Sequence, residues 1–497
     1  MPDRHAITAA TSAAAGRNGM RLVLMAGLCL AYFLLAKAGL ALASIHPSAT
    51  PVWPPTGLAI AALLLLGPEA APAVLLAAWL VNQTTTGDLA SSVAIGFGNT
   101  LEALVAALLT GRWANGAQAF ERPGRVIRFA AICLAVATPI SATIGTASLR
   151  AAGLAELEQL PGIWVTWWLG DFAGALIVAP AIVLWAQADR PRRVGREEAL
   201  VFAAAAGIGL IAFSPLFEQT ALRGALAFLV LLPLLWAALR CGPRATAAAA
   251  LIIAGFAVWG TNAGGGPFAQ DRPHESFLLL LMFIASLCLP GLVLAANVAV
   301  HRLVLAEKDM LLREVHHRVK NNLQVIASMV QLKARQASST SRPLFDALAE
   351  RVYTLGRIYD QVHNSDNLAE IDMGQSLREI AEAVRTDRIH VEASAPELRM
   401  GVDTAIPLAL IALELAANAG KHAFPNRSGT IRMKLRPIDG RRVELSISDD
   451  GVGFDPGEVP AQSSGLHIVR ALVKQIEGEL ETRSGSGTEH RLLFRIR

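Results

Sequence analysis

Residues 442–454 read RVELSISDDGVGF. Apolar and polar side chains alternate as far as Ile447, and this alternation predicts a β-strand with one buried face. Asp449 follows the strand, and the glycines Gly451 and Gly453 stand with one residue between them. Glycines at a strand end let the backbone approach a ligand closely, and a carboxylate there can accept a hydrogen bond from an exocyclic amine. One Gly-x-Gly is a weak signal, so the neighbouring segments decide its meaning.

Two segments further along the chain are suited to bind phosphate. Ser464, Gly465 and Leu466 open a predicted helix that extends from His467 to Gln475. The N-terminus of such a helix presents backbone N–H groups and the positive end of the helix dipole. A glycine-rich turn then precedes the last predicted strand, and its candidate ligand contacts are Gly487 and Thr488.

A helix predicted from Leu408 to His422 comes before these segments. Four of its polar side chains are spaced i, i+4, i+7 and i+8, and they therefore share one face. They are Glu414, Asn418, Lys421 and His422. An amide oxygen can bind Mg²⁺, basic groups can contact phosphate, and a carboxylate can orient a metal ion or water. The alternative, from this helix alone, is an amphipathic helix with an ordinary polar face.

In this order the segments resemble the GHKL, or Bergerat-fold, ATP-binding domain over roughly residues 400–497. The resemblance implies an α/β two-layer sandwich in which Asp449 binds adenine N6, Asn418 holds Mg²⁺ and Glu414 takes part in catalysis. The implied phosphate contacts are Lys421 and His422. The helix opening has Ser-Ser-Gly where the family more often has Gly-x-Gly. The loop of P-loop ATPases is absent from the sequence.

Two more helices are predicted before this domain, and each carries one apolar stripe. The first extends from Leu311 to Gln336, and the second starts near Pro343. The stripes contain Leu312, Val315, Val319, Leu323, Ile326 and Val330 in the first helix, and Leu344, Leu348, Val352, Leu355, Tyr359 and Val362 in the second. Two helices cannot cover both stripes alone, whereas a homodimer that forms a four-helix bundle can.

His317 is the candidate phosphoacceptor on the first of these helices. It points roughly 150–160° away from the apolar stripe, whereas His316 lies about 60° from it. Taken alone, the two histidines could also be solvated side chains on a basic face. The sequence from Glu314 to Gln324 resembles the phosphoacceptor motif of HWE-type histidine kinases, in which the histidine before an arginine is phosphorylated. The resemblance implies phosphorylation of His317, and Glu314, near the same face, is the candidate helper.

The first three hundred or so residues have the character of a membrane domain. The whole chain is 53% hydrophobic and 17% charged, and all nine tryptophans lie between Trp53 and Trp259. A span needs roughly 17–25 apolar residues. Candidate spans begin near Met20, Ser91, Val126, Ile163, Ala199, Leu222, Ala247 and Ser276. The apolar stretch from Trp53 to Asn82 is interrupted at residues 67–69 and adds two short spans or a re-entrant pair, so we expect a polytopic helical domain of about eight to ten spans.

Charge predicts the orientation of these spans. Arginines precede the first span and cluster at residues 112–128, 190–196 and 240–244. Basic loops resist translocation, so ten spans place all of them, and both termini, on the cytoplasmic side of the inner membrane. The basic residues of these loops explain the net charge of +4 better than nucleic acid binding does. The four cysteines fall in or beside apolar segments and predict neither a disulfide framework nor a metal site.

Three polar residues, Asn99, Glu102 and Asp171, fall within predicted spans. Polar groups at membrane depth are costly, and they usually face a cavity or a partner. The three residues therefore form a possible signal pocket. The alternative is hydrogen bonding between helices, and the sequence does not decide between the two.

The segments VWPPTG (residues 52–57), WLGD (residues 168–171) and AP (residues 179–180) resemble parts of the integral membrane sensory domain of the MASE class. The resemblance covers roughly residues 20–300. It implies a sensory function for this part of the chain and does not name the signal.

Together the sequence predicts a membrane sensory domain at residues 1–304, a dimerisation and phosphoacceptor domain at 305–370 and a catalytic ATP-binding domain at 371–497. The predicted protein is a sensor histidine kinase that uses ATP and Mg²⁺ and transfers the phosphoryl group to an aspartate of a response regulator. One alternative is a transporter or channel with a regulatory ATP-binding module, although the sequence shows no obvious inverted repeat. Another alternative is a clamp driven by ATP hydrolysis. Such a clamp needs a longer lid over the nucleotide than the short segment between Gly453 and Gly465 can form.

Overall fold

The computed structural model describes residues 4–41, 50, 52–187, 194–215, 225–339, 370–453 and 464–496, and also residues 341, 342, 345, 346, 348, 349, 352, 353 and 356. Contacts between residues divide the chain into two units, Met1–Leu305 and Ala306–Arg497. Each unit has buried apolar clusters of its own.

The described regular elements of the first unit are helices. They are α1 Arg4–Leu40, α2 Pro54–Leu66, α3 Ala71–Thr86, α4 Leu89–Ala114, α5 Pro123–Ile132, α6 Thr138–Ala151, α7 Leu160–Ala186, α8 Arg196–Phe213, α9 Leu231–Trp236, α10 Pro243–Asn262 and the long α11 Pro273–Gln336, with π-helical turns at Cys133–Ala137 and Ala237–Cys241. Six helical stretches that begin in this unit are long and apolar enough to cross a membrane. Large apolar side chains such as Leu22, Leu108 and Phe228 point outward, as a lipid environment requires.

The predicted spans correspond to these helices. Seven of the eight predicted starting positions lie within described helices, and Leu222 lies outside the described residues. The stretch from Trp53 to Asn82 contains two short helices, α2 and α3, which are separated at Gly67 and a 3₁₀ turn, Pro68–Ala70. Gly67 has a φ of 85°, which glycine adopts readily and other residues rarely do. The total number of spans stays a prediction.

Helices α2 and α7 pack with their backbones in contact. The N–H of Trp53 donates to the carbonyl of Gly170 at 3.0 Å. A Cβ on Gly174 would overlap the carbonyl of Trp53, and a Cβ on Gly57 would overlap the carbonyl of Gly174. Small residues allow such close approach between membrane helices. This packing brings the VWPPTG and WLGD segments together.

The second unit contains a five-stranded sheet in the order β2-β4-β5-β7-β6, in which β2 and β4 are parallel and the other neighbours are antiparallel. Its elements are β1 Glu370–Asp372, α12 Met373–Val384, β2 Ile389–Ser394, β3 Arg399–Gly401, α13 Val402–His422, β4 Gly429–Pro437, β5 Arg442–Asp449, α14 Ser464–Gln475, β6 Glu479–Gly485 and β7 Gly487–Arg495. The three helices share one apolar core with the sheet. This arrangement confirms the predicted α/β sandwich.

Helix α13 is apolar enough to resemble a membrane span, yet it belongs to the core of this sandwich. Leu408, Ile411 and Leu415 are buried against the sheet and its helices. The helix begins at Val402, six residues before the predicted start at Leu408. The predicted start was too late, because the helix continues through Pro407 toward its N-terminus.

The helix predicted from Leu311 to Gln336 forms the last part of α11. Its stripe is partly covered: Val319, Leu323 and Val330 are half-buried, whereas Val315 and Ile326 are exposed. The predicted second helix falls largely outside the described residues, including Pro343, Leu344, Leu355, Tyr359 and Val362. The four-helix bundle therefore stays a prediction.

Candidate functional site

Asp449 stands at the end of β5, and one of its carboxylate oxygens is fixed by the backbone. Oδ1 accepts a hydrogen bond from the N–H of Gly451 at 2.9 Å and another from the N–H of Thr488 at 3.3 Å. Among the described residues, no hydrogen bond reaches Oδ2. The carboxylate is therefore held rigidly by one oxygen, and the other oxygen is left for a ligand.

Two glycines allow the backbone to close around this carboxylate. A Cβ on Gly451 would overlap Ala423, just beyond α13, and the next residue, Val452, donates to the carbonyl of Ala423 at 3.0 Å. Gly487 has a φ of 110°, and a Cβ there would overlap the carbonyl of Asp449. Both positions need glycine, and together they join the end of β5 to α13 and to β7.

Gly453 lies in the turn that follows β5, two residues beyond Gly451. Its φ of 70° lies in the left-handed region, and a Cβ there would overlap the carbonyl of Gly485. The loop that follows it, from Phe454 to residue 463, lies outside the described residues.

The predicted polar face of α13 is present. Glu414 is buried, Asn418 is half-buried, and Lys421 and His422 are exposed near the end of the helix. Buried carboxylates are rare in protein cores unless they have a partner or a function.

Helix α14 begins against this face. A Cβ on Gly465 would overlap Glu414 Oε1 and would lie 3.2 Å from Asn418 Nδ2. Leu466, the next residue, is half-buried and packs against the core. The structure thus brings the start of α14 to the carboxylate and amide of α13, as the predicted phosphate site requires. The side chain of Ser464 is not described.

His490 on β7 is a neighbour of the pocket that the sequence did not indicate. Its Nδ1 lies 2.9 Å from Thr482 Oγ1. Burial lowers the pKa of His490, although the charge of Asp449 acts in the opposite direction. The imidazole is therefore neutral in the folded domain at pH 7.

We expect this histidine to make the ATPase domain less stable in acid. Near the ordinary histidine pKa, about 6.5, the unfolded chain binds a proton more readily than folded His490 does. The free energy of unfolding should therefore fall as pH decreases through about 6.5 toward the lowered pKa of folded His490, with a slope of at most ~1.4 kcal/mol per pH unit from one group. Urea unfolding followed by circular dichroism at several pH values measures the free energy of unfolding and therefore its slope with pH. His490→Gln should reduce the slope, and the exposed His467→Gln should not; an equal slope in both variants would contradict the assignment.

His317 lies on the exposed surface of α11. One turn away, Glu314 Oε1 accepts a hydrogen bond from Arg318 Nε at 2.8 Å, and both side chains are more than half exposed. The candidate helper is therefore paired with the arginine that follows His317. The side chain of His316 is not described.

The three polar residues of the predicted signal pocket lie close together in the first unit. Asn99 Nδ2 donates to the hydroxyl of Tyr32 at 3.2 Å, and its Oδ1 accepts from Ser141 Oγ at 2.8 Å. Glu102 and Asp171 are buried near each other. The sequence could not indicate Tyr32 or Ser141, because a hydroxyl in an apolar helix has no distinctive pattern.

Comparison with known proteins identifies three segments. Residues 24–302 match the family MASE1, residues 314–387 match the HisKA_2 family, described as histidine kinase, and residues 403–497 match the histidine kinase-, DNA gyrase B- and HSP90-like ATPases. These matches confirm the predicted kinds of domain, namely a MASE-class membrane domain, a histidine kinase phosphoacceptor domain and a GHKL-type ATPase domain. The predicted boundaries between them stay predictions.

Several known proteins are similar to part of the chain. Blue-light-activated histidine kinase 2 of Erythrobacter litoralis is 33% identical over 194 residues, which are 37% of this chain and 56% of that protein. Sensor histidine kinase PdtaS of Mycobacterium tuberculosis is 31% identical over 189 residues, or 36% of this chain and 38% of that protein. The solved histidine kinase domain of Erythrobacter litoralis EL346 is 30% identical, with a TM-score of 0.31, over 38% of this chain and 93% of that one.

The chain thus spans little more than half of the first relative and well under half of the second. The MASE1 match, in contrast, extends over more than half of this chain and includes the helices that carry Asn99, Glu102 and Asp171. The chain therefore belongs to the MASE1 family, and it also carries one segment that matches histidine kinases and one that matches the ATPase family.

Proposed function

We propose that this protein uses ATP to phosphorylate His317 and then transfers the phosphoryl group to an aspartate of a response regulator. The observation that carries the proposal is the Asp449 carboxylate, which is fixed by two backbone N–H groups and has one oxygen left for a ligand. The exposed imidazole of His317 belongs to the same structural unit. A fixed nucleotide pocket and an exposed nucleophile are the two parts that a histidine kinase needs.

Adenine binds at Asp449 in this proposal. Asp449 Oδ2 accepts from the exocyclic amine at N6, and the glycines Gly451 and Gly453 let the base approach the backbone. Gly487 and Thr488 form the neighbouring wall, since the N–H of Thr488 already orients the carboxylate.

The phosphates extend toward α13 and α14. The backbone N–H groups at the start of α14, from Ser464 to Leu466, and the positive end of its dipole favour negative charge. Lys421 and His422 are exposed on α13 and supply further positive or hydrogen-bonding groups.

Mg²⁺ fits the same face of α13. Asn418 offers an amide oxygen beside the buried carboxylate of Glu414, and oxygen ligands with a few retained waters are what Mg²⁺ prefers. When bound, the ion would neutralise charge on the triphosphate. Glu414 orients the reacting groups from its buried position next to Gly465.

Transfer to His317 forms a P–N bond as the bond between the γ-phosphorus and the bridging oxygen of ADP breaks. A neutral imidazole nitrogen supplies the electron pair, and the proton on the other ring nitrogen must leave to a base or to water. Glu314 is the nearest candidate base on the helix, and it can act only after it releases Arg318.

The active form is a homodimer in the inner membrane with both termini in the cytoplasm. The partly exposed stripe on α11 supports the dimer, because Val315 and Ile326 are uncovered in one chain. The basic loops support the orientation, which also places the ATPase domain where ATP is available.

The proposal is tested by incubating the full-length protein in lipid nanodiscs with γ-labelled ATP and Mg²⁺. We expect label that is stable in base and labile in acid, as a phosphoramidate is, and its transfer to the receiver domain of a response regulator. Label that is stable in acid, or ATP hydrolysis with no labelled protein, would contradict the proposal.

Glu414→Gln should separate nucleotide binding from phosphoryl transfer. Glutamine keeps the size of the buried side chain and loses its charge, so ATP affinity should change little. Autophosphorylation should slow by roughly 10²–10⁴-fold, the usual contribution of a group that transfers or orients a proton. Asp403→Asn, an exposed carboxylate on the same helix, is the matched control. Equal rates in the two variants would rule out the role of Glu414.

A further inference from the structure

Two carboxyl groups are buried together in the first unit. Glu102 on α4 and Asp171 on α7 are each only 1% exposed. They interact with each other and share Thr56 and Ser141 as neighbours. Such residues are expensive to bury in a membrane domain unless something compensates their charge.

The protein supplies little of this compensation. The hydroxyl of Thr56 donates to Glu102 Oε2 at 3.5 Å, a long hydrogen bond. Among the described residues, no hydrogen bond of ordinary length and angle reaches Glu102 Oε1 or either oxygen of Asp171, although Ser141, Thr56 and Trp167 lie near Asp171. The described part of the chain places no basic side chain in an ion pair with either carboxyl group. Thr56 lies in the first turn of α2, and the dipole of this helix places only about half a positive charge at that end to offset the charge of the carboxyl groups.

A small cavity adjoins Asp171, and its volume is about 10 Å³. Trp53, Asn82, Asn99 and Thr50 also line it. A volume of this order holds one water-sized body. The indole N–H of Trp53, which is 9% exposed, has no acceptor either. Buried polar atoms are normally satisfied in native proteins, so this cavity should hold a ligand.

The groups around the cavity mostly present oxygen atoms. Asn82 Nδ2 donates to the carbonyl of Ala78 at 2.8 Å, and Asn99 Nδ2 donates to Tyr32. The hydroxyl of Thr50 donates to the carbonyl of Val52 at 2.9 Å. These bonds use the hydroxyl hydrogen and one of the two hydrogens of each amide. The amide oxygen of Asn82 and the hydroxyl oxygen of Thr50 remain for the cavity, whereas Asn99 Oδ1 already accepts from Ser141 Oγ.

The oxygen atoms therefore outnumber the donors. Asp171 adds two carboxylate oxygens, whereas the remaining donors of the described lining residues are the indole N–H of Trp53 and the second amide hydrogens of Asn82 and Asn99. A single water can donate only two hydrogens and brings no charge. A cation satisfies the oxygens and balances the charge of Asp171 at the same time.

The size of the cavity restricts the cation. An organic ammonium ion is too large for it, and Mg²⁺ usually keeps several waters. Ca²⁺ takes six to eight oxygen ligands as a rule, more than Asp171 and the three neutral side chains offer.

We propose that this cavity binds one dehydrated monovalent cation, of which Na⁺ is the expected ion, with Asp171 as its counter-charge. The ion would connect α3, α4 and α7, which carry Asn82, Asn99 and Asp171. Sodium would thereby stabilise one arrangement of these three helices. The proposal deepens the predicted signal pocket by naming the class of ligand, and it does not depend on kinase activity.

The test is the thermal unfolding of the full-length protein in nanodiscs at pH 8, without ATP. Na⁺ replaces choline at constant ionic strength. We expect a saturable rise in Tm of a few degrees for the wild type, because a ligand that binds only the folded state stabilises it by mass action. K⁺ should give a smaller rise.

Three variants make the test specific. Asp171→Asn should lose the response to Na⁺, and Glu102→Gln should weaken the apparent affinity by about tenfold or more. Glu69→Gln is the matched control, since Glu69 pairs with Arg21 on the surface and both side chains are 67% exposed. It should respond as the wild type does. If Asp171→Asn does not fold, the proposal is tested by the response of the wild type to Na⁺ and by the weaker affinity for Na⁺ expected of Glu102→Gln.

The proposal is overturned if the wild type shows no saturable response to Na⁺, if Asp171→Asn responds equally, or if Ca²⁺ stabilises the protein and Na⁺ does not. It is also overturned if acidification to pH 6 stabilises the protein while Na⁺ has no effect, which would indicate protonated carboxyls and a water. Each of these outcomes leaves the proposed kinase activity untouched, because no phosphorylation is measured.

Discussion

His317→Ala should reduce autophosphorylation to below about one hundredth of the wild-type level. The substitution removes the nucleophile, and a neighbouring residue on a helix is rotated by 100° and cannot replace it. His317 is exposed on α11, so its loss should leave folding intact. ATP affinity should also stay unchanged, because the nucleotide groups belong to α13, β5, α14 and β7.

The measurement is the initial rate of labelling from γ-labelled ATP, together with the Kd for ATP. His316→Ala is the matched control and should keep most of the wild-type rate. Loss of label in His316→Ala alone would move the phosphoacceptor by one residue. Label that persists in His317→Ala would refute the assignment.

Asp449→Asn should weaken ATP binding by roughly 10–150-fold. Asparagine can keep the hydrogen bonds from Gly451 and Thr488 through its oxygen, but its amide nitrogen then faces the adenine amine. A hydrogen bond to a charged group is replaced by two opposed donors, at a cost of about 1.5–3 kcal/mol.

Titration calorimetry with ATP measures this change, and the next residue provides the control. Asp450 Oδ1 accepts from the N–H of Thr430 at 2.8 Å, which an asparagine can also do. Asp450→Asn should therefore bind ATP as the wild type does. Equal affinities for all three proteins would mean that adenine binds elsewhere.

The positions of Asp449 and its glycines at the end of β5 were predictable because they depend mostly on local sequence. Asp449 follows an alternating strand, and the glycines beside it have no good substitute at a positive φ. The contact from Thr488 was not predictable, since it depends on the antiparallel pairing of β5 with β7 across 39 residues. The close approach of Gly465 to Glu414 depends on the packing of α14 against α13.

The membrane domain was predictable at a coarser level. Apolar length located the helices, and the break near Gly67 correctly separated α2 from α3. The sequence singled out Glu102 and Asp171 but could not place them together, because apolar helices of similar composition can pack in many ways. Ser141 gave no signal, and Thr56 was noted only as part of the VWPPTG segment, since hydroxyl groups are common in membrane helices.

The most direct test of the central claim is to locate the phosphoryl group on the protein. The full-length protein in nanodiscs is incubated with ATP and Mg²⁺, digested under basic conditions that preserve phosphohistidine, and sequenced by mass spectrometry. We predict an increase of one phosphoryl group on His317. At an ATP concentration near the wild-type Kd, Asp449→Asn should show this modification at about one fifth of the wild-type level or less, because tenfold weaker binding lowers the occupancy by about that factor. A phosphoryl group on His316 or on a serine, or no modified peptide at all, would contradict the account.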